Sequence, residues 1–517
     1  MSVSRAPAQA VQHRERRAAG AGLRAALRWW PLLALLAVAA ALRLSTLSLQ
    51  SLWYDEAYTP VHVLHASLAE TLRAWLHDEN TPPLWYVLIW AVTRLFGVGV
   101  IALRLPSALA GIALVGVGWM IGAELGTRRT AAALAALLAV NPLFVWYSQE
   151  ARAYELYALV AALSLLLFLR ALRFPTPRTL AGWALCSVLA LLAHYFAYFL
   201  VVPEAIVLLF ALRAARPATA AVGAVGVGGA ALVALVLAQG GHGTQWIGEW
   251  ALSSRVVQIA GYYLLGYNGV VLGHTLLLVS ALPIAGALAL LALLARRGEL
   301  AAGERRAIAL CGGLGTFAIV LPLALALAGA DYLAPRNLIA DYVPLSAALA
   351  ALLTARRAGR AGAWLLSAAL VIGLAAVIAT DFDHRLQRGD WSALARTLRA
   401  GGADRAIVTV EDGAAPLEYY LPSLGLRYLS ADRAVSVREV DLVGYVPLRA
   451  GAAVAPTRAF VSVGRSDAHG LLVYRFRSRT GQLLGGRFLR DLTITVGARS
   501  GAEVLVPRSV FETSIRR

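Results

Sequence analysis

The densest run of residues able to do chemistry is Leu52-Trp53-Tyr54-Asp55-Glu56-Ala57-Tyr58, two adjacent carboxylates flanked by aromatic rings. A carboxylate held beside apolar neighbours can have its proton affinity tuned, which suits a general base that takes a proton from an acceptor hydroxyl. The plainer role is to favour the first turn of a helix, worth about 0.3–1 kcal/mol. A second cluster, Tyr147-Ser148-Gln149-Glu150-Ala151-Arg152-Ala153-Tyr154-Glu155, supplies Glu150, Arg152 and Tyr154. As a simple surface pair, its acid and arginine would contribute only about 0–1 kcal/mol.

A third cluster is Asp331-Tyr332-Leu333-Ala334-Pro335-Arg336-Asn337, where Arg336 stands as the single arginine of an apolar stretch. Its planar fork matches a phosphate bidentately; the alternative is an interfacial arginine that reaches out to water. Arg104, in Arg104-Leu105-Pro106-Ser107, is a candidate partner for Asp55 or Glu56, and His194 is a secondary candidate for contact with phosphate or sugar. His62, His65 and His77-Asp78-Glu79 lack the spacing of a metal site, so no metal ligands are assigned and a divalent metal requirement stays open. Cys186 and Cys311 lie in apolar runs and read as buried thiols.

The elements that position these clusters are membrane helices. The 517 residues are 59% hydrophobic and only 15% charged, with mean hydropathy +0.67, against about 25% charged in soluble domains. The +18 charge comes from arginine alone and sits in short runs between apolar stretches, the pattern of cytoplasmic membrane loops and not of a nucleic-acid-binding surface. Residues 1–28 form a basic N-terminus expected in the cytoplasm, followed by an uncleaved first span from Trp29. Further apolar runs lie near 104–125, 131–148, 155–172, 179–193, 196–212, 217–238, 271–295, 307–329, 338–354 and 362–380, giving about eleven spans.

Arginine alternates between successive connections if 82–96 does not cross, so that segment and 61–78 are expected as interfacial helices in an outer loop, 50–103. The three chemical clusters then share the outer face. After Thr380 frequent charges and β-prone runs at 406–410 and 459–463, with a helix near 390–400, predict a soluble α/β domain over 381–517, outside the cytoplasm. No nucleotide-binding glycine loop occurs in it.

The Asp55-Glu56 segment, the Asn80-Thr81-Pro82-Pro83-Leu84-Trp85 entry, the Arg104 to Gly111 helix start and the Tyr147 to Tyr154 run together resemble the GT-C membrane glycosyltransferases. The nearest match within them is the family-thirty-nine group, which includes protein O-mannosyltransferases and lipid A aminoarabinose transferases. The resemblance covers roughly residues 25–350. It implies an all-α polytopic catalytic domain over 29–380 in the bacterial inner membrane and a polyprenyl-phosphate sugar as donor. Asp55 matches the catalytic aspartate, Glu56 its neighbour, and Glu150 and Arg152 the second outer-loop pair. Arg336 stands where relatives carry a lipid-phosphate-binding basic residue, although Pro335-Arg336-Asn337-Leu338 departs from the commoner pattern.

The expected activity is transfer of the sugar, with inversion, to an acceptor hydroxyl on a protein, glycan or glycolipid, with membrane lipid around the enzyme and no nucleic acid involved. No cofactor is assigned beyond the lipid-linked donor. The alternative is a transporter or flippase for a lipid-linked glycan. Against it, polar groups collect at outer helix ends and the spans show no paired broken helices. A receptor anchored by its spans would need only one or two of them.

Overall fold

In a computed structural model of the chain, the described residues are 29–213, 215–239, 245–267, 274–445, 453–492 and 502–516. The basic segment 1–28 lies outside them. The first helix, α1 (Trp29–Leu44), is followed by three helices that stand between it and the next long one. These are α2 (Tyr54–Tyr58), α3 (Leu68–Asp78) and α4 (Leu84–Phe96). Ser67 caps α3 by accepting the Glu70 N–H. At 13 residues α4 spans about 20 Å, too short to cross a membrane. It buries Trp85, Tyr86 and Ile89 in a cluster with Leu52, Ala57 and Trp75. The two helices expected at 61–78 and 82–96 therefore pack on the Asp55 segment.

The bundle continues with α5 (Val100–Leu125), α6 (Arg128–Val140), α7 (Pro142–Ser148), α8 (Tyr154–Arg173), α9 (Pro177–Ala193), α10 (Tyr198–Ala211) and α11 (Arg216–Gln239). After these come α12 (Gln245–Glu249), α13 (Leu252–Leu265), α14 (His274–Arg296), α15 (Ala302–Leu327), α16 (Tyr342–Leu353) and α17 (Gly359–Phe382). Among the described residues, six helices (α5, α8, α11, α14, α15 and α17) are long and apolar enough to cross a membrane, and the pair α6 and α7 makes a seventh.

This is fewer than the about eleven apolar runs in the sequence suggest. The helices α1, α9 and 195–211 are apolar but have no more than 17 residues, about 25 Å against roughly 30 Å of hydrocarbon. The run near 338–354 is entered through a 3-10 turn, Pro335–Asp341, before α16.

The run 131–148 is also not one straight span. It bends by 57° between α6 and α7, because Pro142 cannot donate to the helix and Asn141 caps the new start by accepting from Leu143 and Phe144 N–H. The break leaves helix-terminal carbonyls without intrahelical donors. Arg43, from the end of α1, donates to two of them, Ala139 O at 2.9 Å and Leu138 O at 3.1 Å, and to Ser148 Oγ at 2.9 Å. The side chain passes so close to α5 that a Cβ on Gly111 would lie 2.7 Å from Arg43 Nε and 2.0 Å from Ser148 Oγ.

Beyond α17 the chain forms a separate layer that packs against the α2 segment. It contains α18 (Trp391–Arg399), β1 (Arg405–Thr409), α19 (Ala414–Tyr420), β2 (Arg427–Tyr428), β3 (Arg433–Tyr445), β4 (Val461–Asp467), β5 (Leu471–Gly485), α20 (Gly486–Asp491), β6 (Glu503–Val506), α21 (Arg508–Glu512) and β7 (Ile515–Arg516). The sheet order is β2-β6-β1-β3-β5-β4, with β7 paired to β3. Only β1 with β3 is parallel among the described pairs. One face of the sheet packs on α18 and α19, and that apolar cluster takes in Trp53 from the α2 segment.

Candidate active site

Trp53 has extended backbone and accepts the first helical N–H groups, those of Glu56 and Ala57, so Asp55 and Glu56 fall in the opening turn of α2. Successive residues of a helix point about 100° apart. Glu56 therefore faces the interior, while Asp55 keeps part of its surface open. Glu56 is fully buried and receives Arg104 in a two-point contact, Nε to Oε1 at 2.7 Å and Nη2 to Oε2 at 2.6 Å. The Ala151 N–H also donates to Oε1, at 2.8 Å. Burial alone would raise this carboxyl's proton affinity. Arg104, Arg388 and the Ala151 amide outweigh it and hold Glu56 below the ordinary carboxylate range.

Arg104 spends its remaining donors on the carbonyls of Leu47, Gln50 and Ser51. Each of its nitrogens is thus engaged by the chain. The pairing of Arg104 with one of the two acids, anticipated from the sequence, is with Glu56.

Asp55 meets Arg336 instead, Oδ2 to Nη1 at 2.8 Å, across 281 residues of sequence. The two side chains keep 19% and 17% of their surface open, unlike the sealed Glu56 and Arg104. The Arg336 guanidinium lies 5.7 Å from the centre of the Tyr154 ring. Its loop is fixed from behind by Asp331, which takes Arg255 at 2.7 and 2.5 Å.

Glu150 and Arg152 do not pair with each other. Arg152 binds Glu79 at 3.0 and 3.4 Å and donates to the Asp55 carbonyl at 3.4 Å. Glu150 is fully buried and takes Arg388 at 2.5 Å. Burial pushes its carboxyl up to about 7 against the pull of Arg388, with Glu56 and Asp55 adding to the rise.

His194 closes α9, accepts the Phe196 N–H on Nδ1, stacks on Tyr157 at 5.0 Å and lies 5.8 Å from Tyr154. Acceptance at Nδ1 places the ring proton on Nε2. Burial first, then Arg336 and Arg152, bring its pKa down to about 3, so the ring is a neutral donor and not a cation.

The structure thus sorts the sequence-predicted residues into two groups. Asp55, Arg152, Tyr154, His194 and Arg336 gather around the partly open Asp55–Arg336 pair. Glu56, Arg104 and Glu150 belong to a sealed charge cluster beneath it. Arg388 and Arg43 went unnoticed in the sequence, and Glu79 was read only as part of the His77-Asp78-Glu79 group. No local spacing around Arg388 signals its carboxylate partners, which lie far back in the chain. Among the described residues no group of three or more His, Cys, Asp or Glu is placed to hold a metal ion.

A shallow groove opens beside the α6–α7 break, lined by Leu137, Val140, Pro142, Tyr263, Pro283 and Leu349 among others. A second shares Pro142 and reaches Trp146, Gln149 and Tyr267.

Residues 80–238 match the family model described as dolichyl-phosphate-mannose-protein mannosyltransferase. No curated protein matches the sequence. Among solved structures, ArnT from Cupriavidus metallidurans bound to undecaprenyl phosphate is similar at 13% identity and TM-score 0.51, covering 86% of this chain and 97% of that one. This likeness shows a shared fold. The Archaeoglobus fulgidus oligosaccharyltransferase, in complex with zinc and sulfate, aligns at 14% identity and TM-score 0.42 over 76% of this chain. The chain spans 57% of the length of that protein.

Proposed function

We propose that this chain, a membrane glycosyltransferase with the GT-C fold, moves a sugar from a polyprenyl-phosphate donor to an acceptor hydroxyl, with inversion, on the extracytoplasmic face of a bacterial inner membrane. One observation carries the reading: the partly open ion pair of Asp55 and Arg336 at 2.8 Å, between two positions far apart in sequence. A base for the acceptor and a cation for the leaving phosphate must lie within one sugar of each other, and here they touch. The ArnT structure holds undecaprenyl phosphate and the matching family model is defined by a dolichyl-phosphate sugar, which supports a lipid-linked donor.

The pair also suggests an order of events. Donor phosphate competes with Asp55 for the Arg336 fork, which matches phosphate bidentately. Once Arg336 turns to the phosphate, Asp55 is free to accept the acceptor's hydroxyl proton. The acceptor oxygen then forms a bond to the anomeric carbon from the face opposite the departing phosphate oxygen. The carbon–oxygen bond to phosphate breaks, the proton stays on Asp55, and the charge left on polyprenyl phosphate is met by Arg336 and the His194 Nε2–H. Arg152 and Tyr154 shape the cleft around the sugar, while Glu56, Arg104 and Glu150 act by holding the walls. The acceptor is a hydroxyl of a protein, glycan or glycolipid.

The test is transfer of label from a panel of polyprenyl-phosphate sugars by purified protein in lipid, with Asp55→Asn and Arg336→Met beside the wild type. Asp55→Asn is expected to bind donor and not turn over, and Arg336→Met to lose donor binding. Sustained turnover by Asp55→Asn would overturn the assignment of the base.

A further inference from the structure

The segment joining α17 to the sheet domain enters the catalytic half of the molecule more deeply than a tether needs to. Arg388 is 96% buried in its side chain and bridges two carboxylates, Glu150 at 2.5 Å and Glu56 at 3.6 Å. Its guanidinium carbon lies 4.3 Å from the centre of the Trp146 ring and 5.3 Å from that of Trp53. Its backbone N–H donates to Gln50 Oε1 at 2.9 Å. Just after it in the chain, the Ser51 hydroxyl donates to Gly389 O and accepts the Trp391 N–H. The connector therefore grips residues 50–53, the stretch that feeds directly into Asp55. Trp53, the residue on which α2 starts, is packed in the sheet domain's apolar cluster with Trp391 and Leu394.

We propose that Arg388 is a positioning residue for Asp55: by closing a charge-balanced cluster with Glu56, Glu150 and Arg104, it makes the sheet domain's connector part of the catalytic unit. The mechanism is electrostatic registration. Two buried carboxylates and two buried guanidinium groups neutralise one another, and removal of either cation leaves a carboxylate sealed from water with no counter-charge. Without Arg388 the connector loses its hold on Glu150, and wherever Glu150 is ionised its unpaired buried charge lets the 50–53 segment shift.

The groups facing Glu150 are Arg388 from the connector, Glu56 and Asp55 from α2, Arg336 from the 3-10 turn and Arg104 from α5, with the Tyr147, Tyr154, Tyr262 and Tyr267 phenols alongside. Arg388 is the largest influence that keeps the Glu150 proton affinity from rising further. Misplacement of a reacting group by about 1 Å is enough to lower turnover about 10²-fold.

This inference rests on the transferase reading above, and its test separates the two. Full-length Arg388→Met, Arg388→Lys, Glu150→Gln and the double variant Arg388→Met/Glu150→Gln are assayed for sugar transfer and, in parallel, for thermal unfolding followed by tryptophan fluorescence. Arg388→Met is expected to lose about 10²-fold in kcat with donor KM unchanged. The loss deepens as pH rises, because ionised Glu150 then has no partner. Arg388→Lys, which keeps the charge, retains more activity.

The double variant, with no unpaired charge, is expected to recover most of the turnover and to lose the pH slope. A defect of equal size at every pH, with no recovery in the double variant, would overturn the positioning role. So would an Arg388→Met protein that melts early yet turns over normally, since the residue would then serve the fold alone. If the wild type transfers sugar from no polyprenyl phosphate, the transferase reading fails. The charge cluster is still judged by whether the double variant restores the melting temperature lost in Arg388→Met.

Discussion

Asp55 and Glu56 are adjacent in sequence and chemically almost identical, yet they occupy two different regions of the molecule. Glu56 sits in a closed cluster in which Arg104 saturates both its oxygens, while Asp55 looks into a cleft where it shares one contact with an arginine that also keeps some open surface. The turn of a single helix residue separates them. The contrast teaches that in this site charge density alone does not mark reactivity. The same ion-pair chemistry holds the architecture where every donor is matched, and can do work where a partner can be exchanged for a ligand.

The sharpest way to break that contrast is to neutralise each acid in turn. Asp55→Asn is expected to lower turnover by about 10²–10⁴-fold, the contribution of a general base, with an unchanged melting temperature. Glu56→Gln should do the reverse in kind. It strands the buried Arg104 without a carboxylate, at a cost of about 3–5 kcal/mol, and should show first as poor yield and early unfolding. If Glu56→Gln melted like the wild type and only its kcat fell, the division between the two regions would collapse.

A smaller effect is expected for Arg336→Lys. The substitution keeps the charge over the Tyr154 face and loses the fork, so donor affinity should weaken by roughly tenfold, about 1.4 kcal/mol, while stability stays put. Titration with a polyprenyl-phosphate analogue checks this, and unchanged affinity would mean that the lysine charge suffices.

The sequence made the open cleft legible and the closed cluster mostly not. Asp55 and Arg336 stand out because each is a charge in an aromatic or apolar setting at the end of an apolar run, a local signal. Arg388 has no such mark. Its meaning comes from Glu150 and Glu56, 238 and 332 residues earlier in the chain, and only the fold brings them together. Local spacing was misleading for Glu150 and Arg152, which lie two residues apart and take separate distant partners.

Among the elements, the short helices between α1 and α5 and the strand-rich C-terminal layer follow from hydropathy and turn chemistry. The 57° break at Asn141-Pro142 is visible in its residues, but hydropathy averages over it, so 131–148 read as one span.

The smallest effect lies where the sheet domain faces the cleft, and it concerns pH. Glu503 accepts the Ala414 N–H at 2.8 Å at the start of α19, the helix that packs on α2 and whose Tyr420 hydroxyl accepts the Leu52 N–H at 2.7 Å. Burial pushes the Glu503 carboxyl up to about 7 against the pull of that amide, with Asp412, Glu418 and Glu411 adding to it. Asp412 rises to about 6 through burial and then through Asp55 and Glu411.

Both shifts are upward, so the folded chain holds protons that the unfolded chain has released. The associated stability is fully present below the unfolded values, 4.5 and 3.8, and is lost as pH climbs through about 6 and 7. For the partly exposed Glu503 this amounts to roughly 1–2 kcal/mol after allowing for solvent screening. The melting temperature of the full chain should therefore fall between pH 4.5 and 7, on top of any other titration. Glu503→Gln keeps an oxygen for the Ala414 N–H and cannot ionise, so it should flatten that part of the curve and raise the melting temperature near neutrality. An identical slope in the variant would move the effect from α19 to other groups, and with it the idea that the junction over the Asp55 cleft is held more tightly in acid.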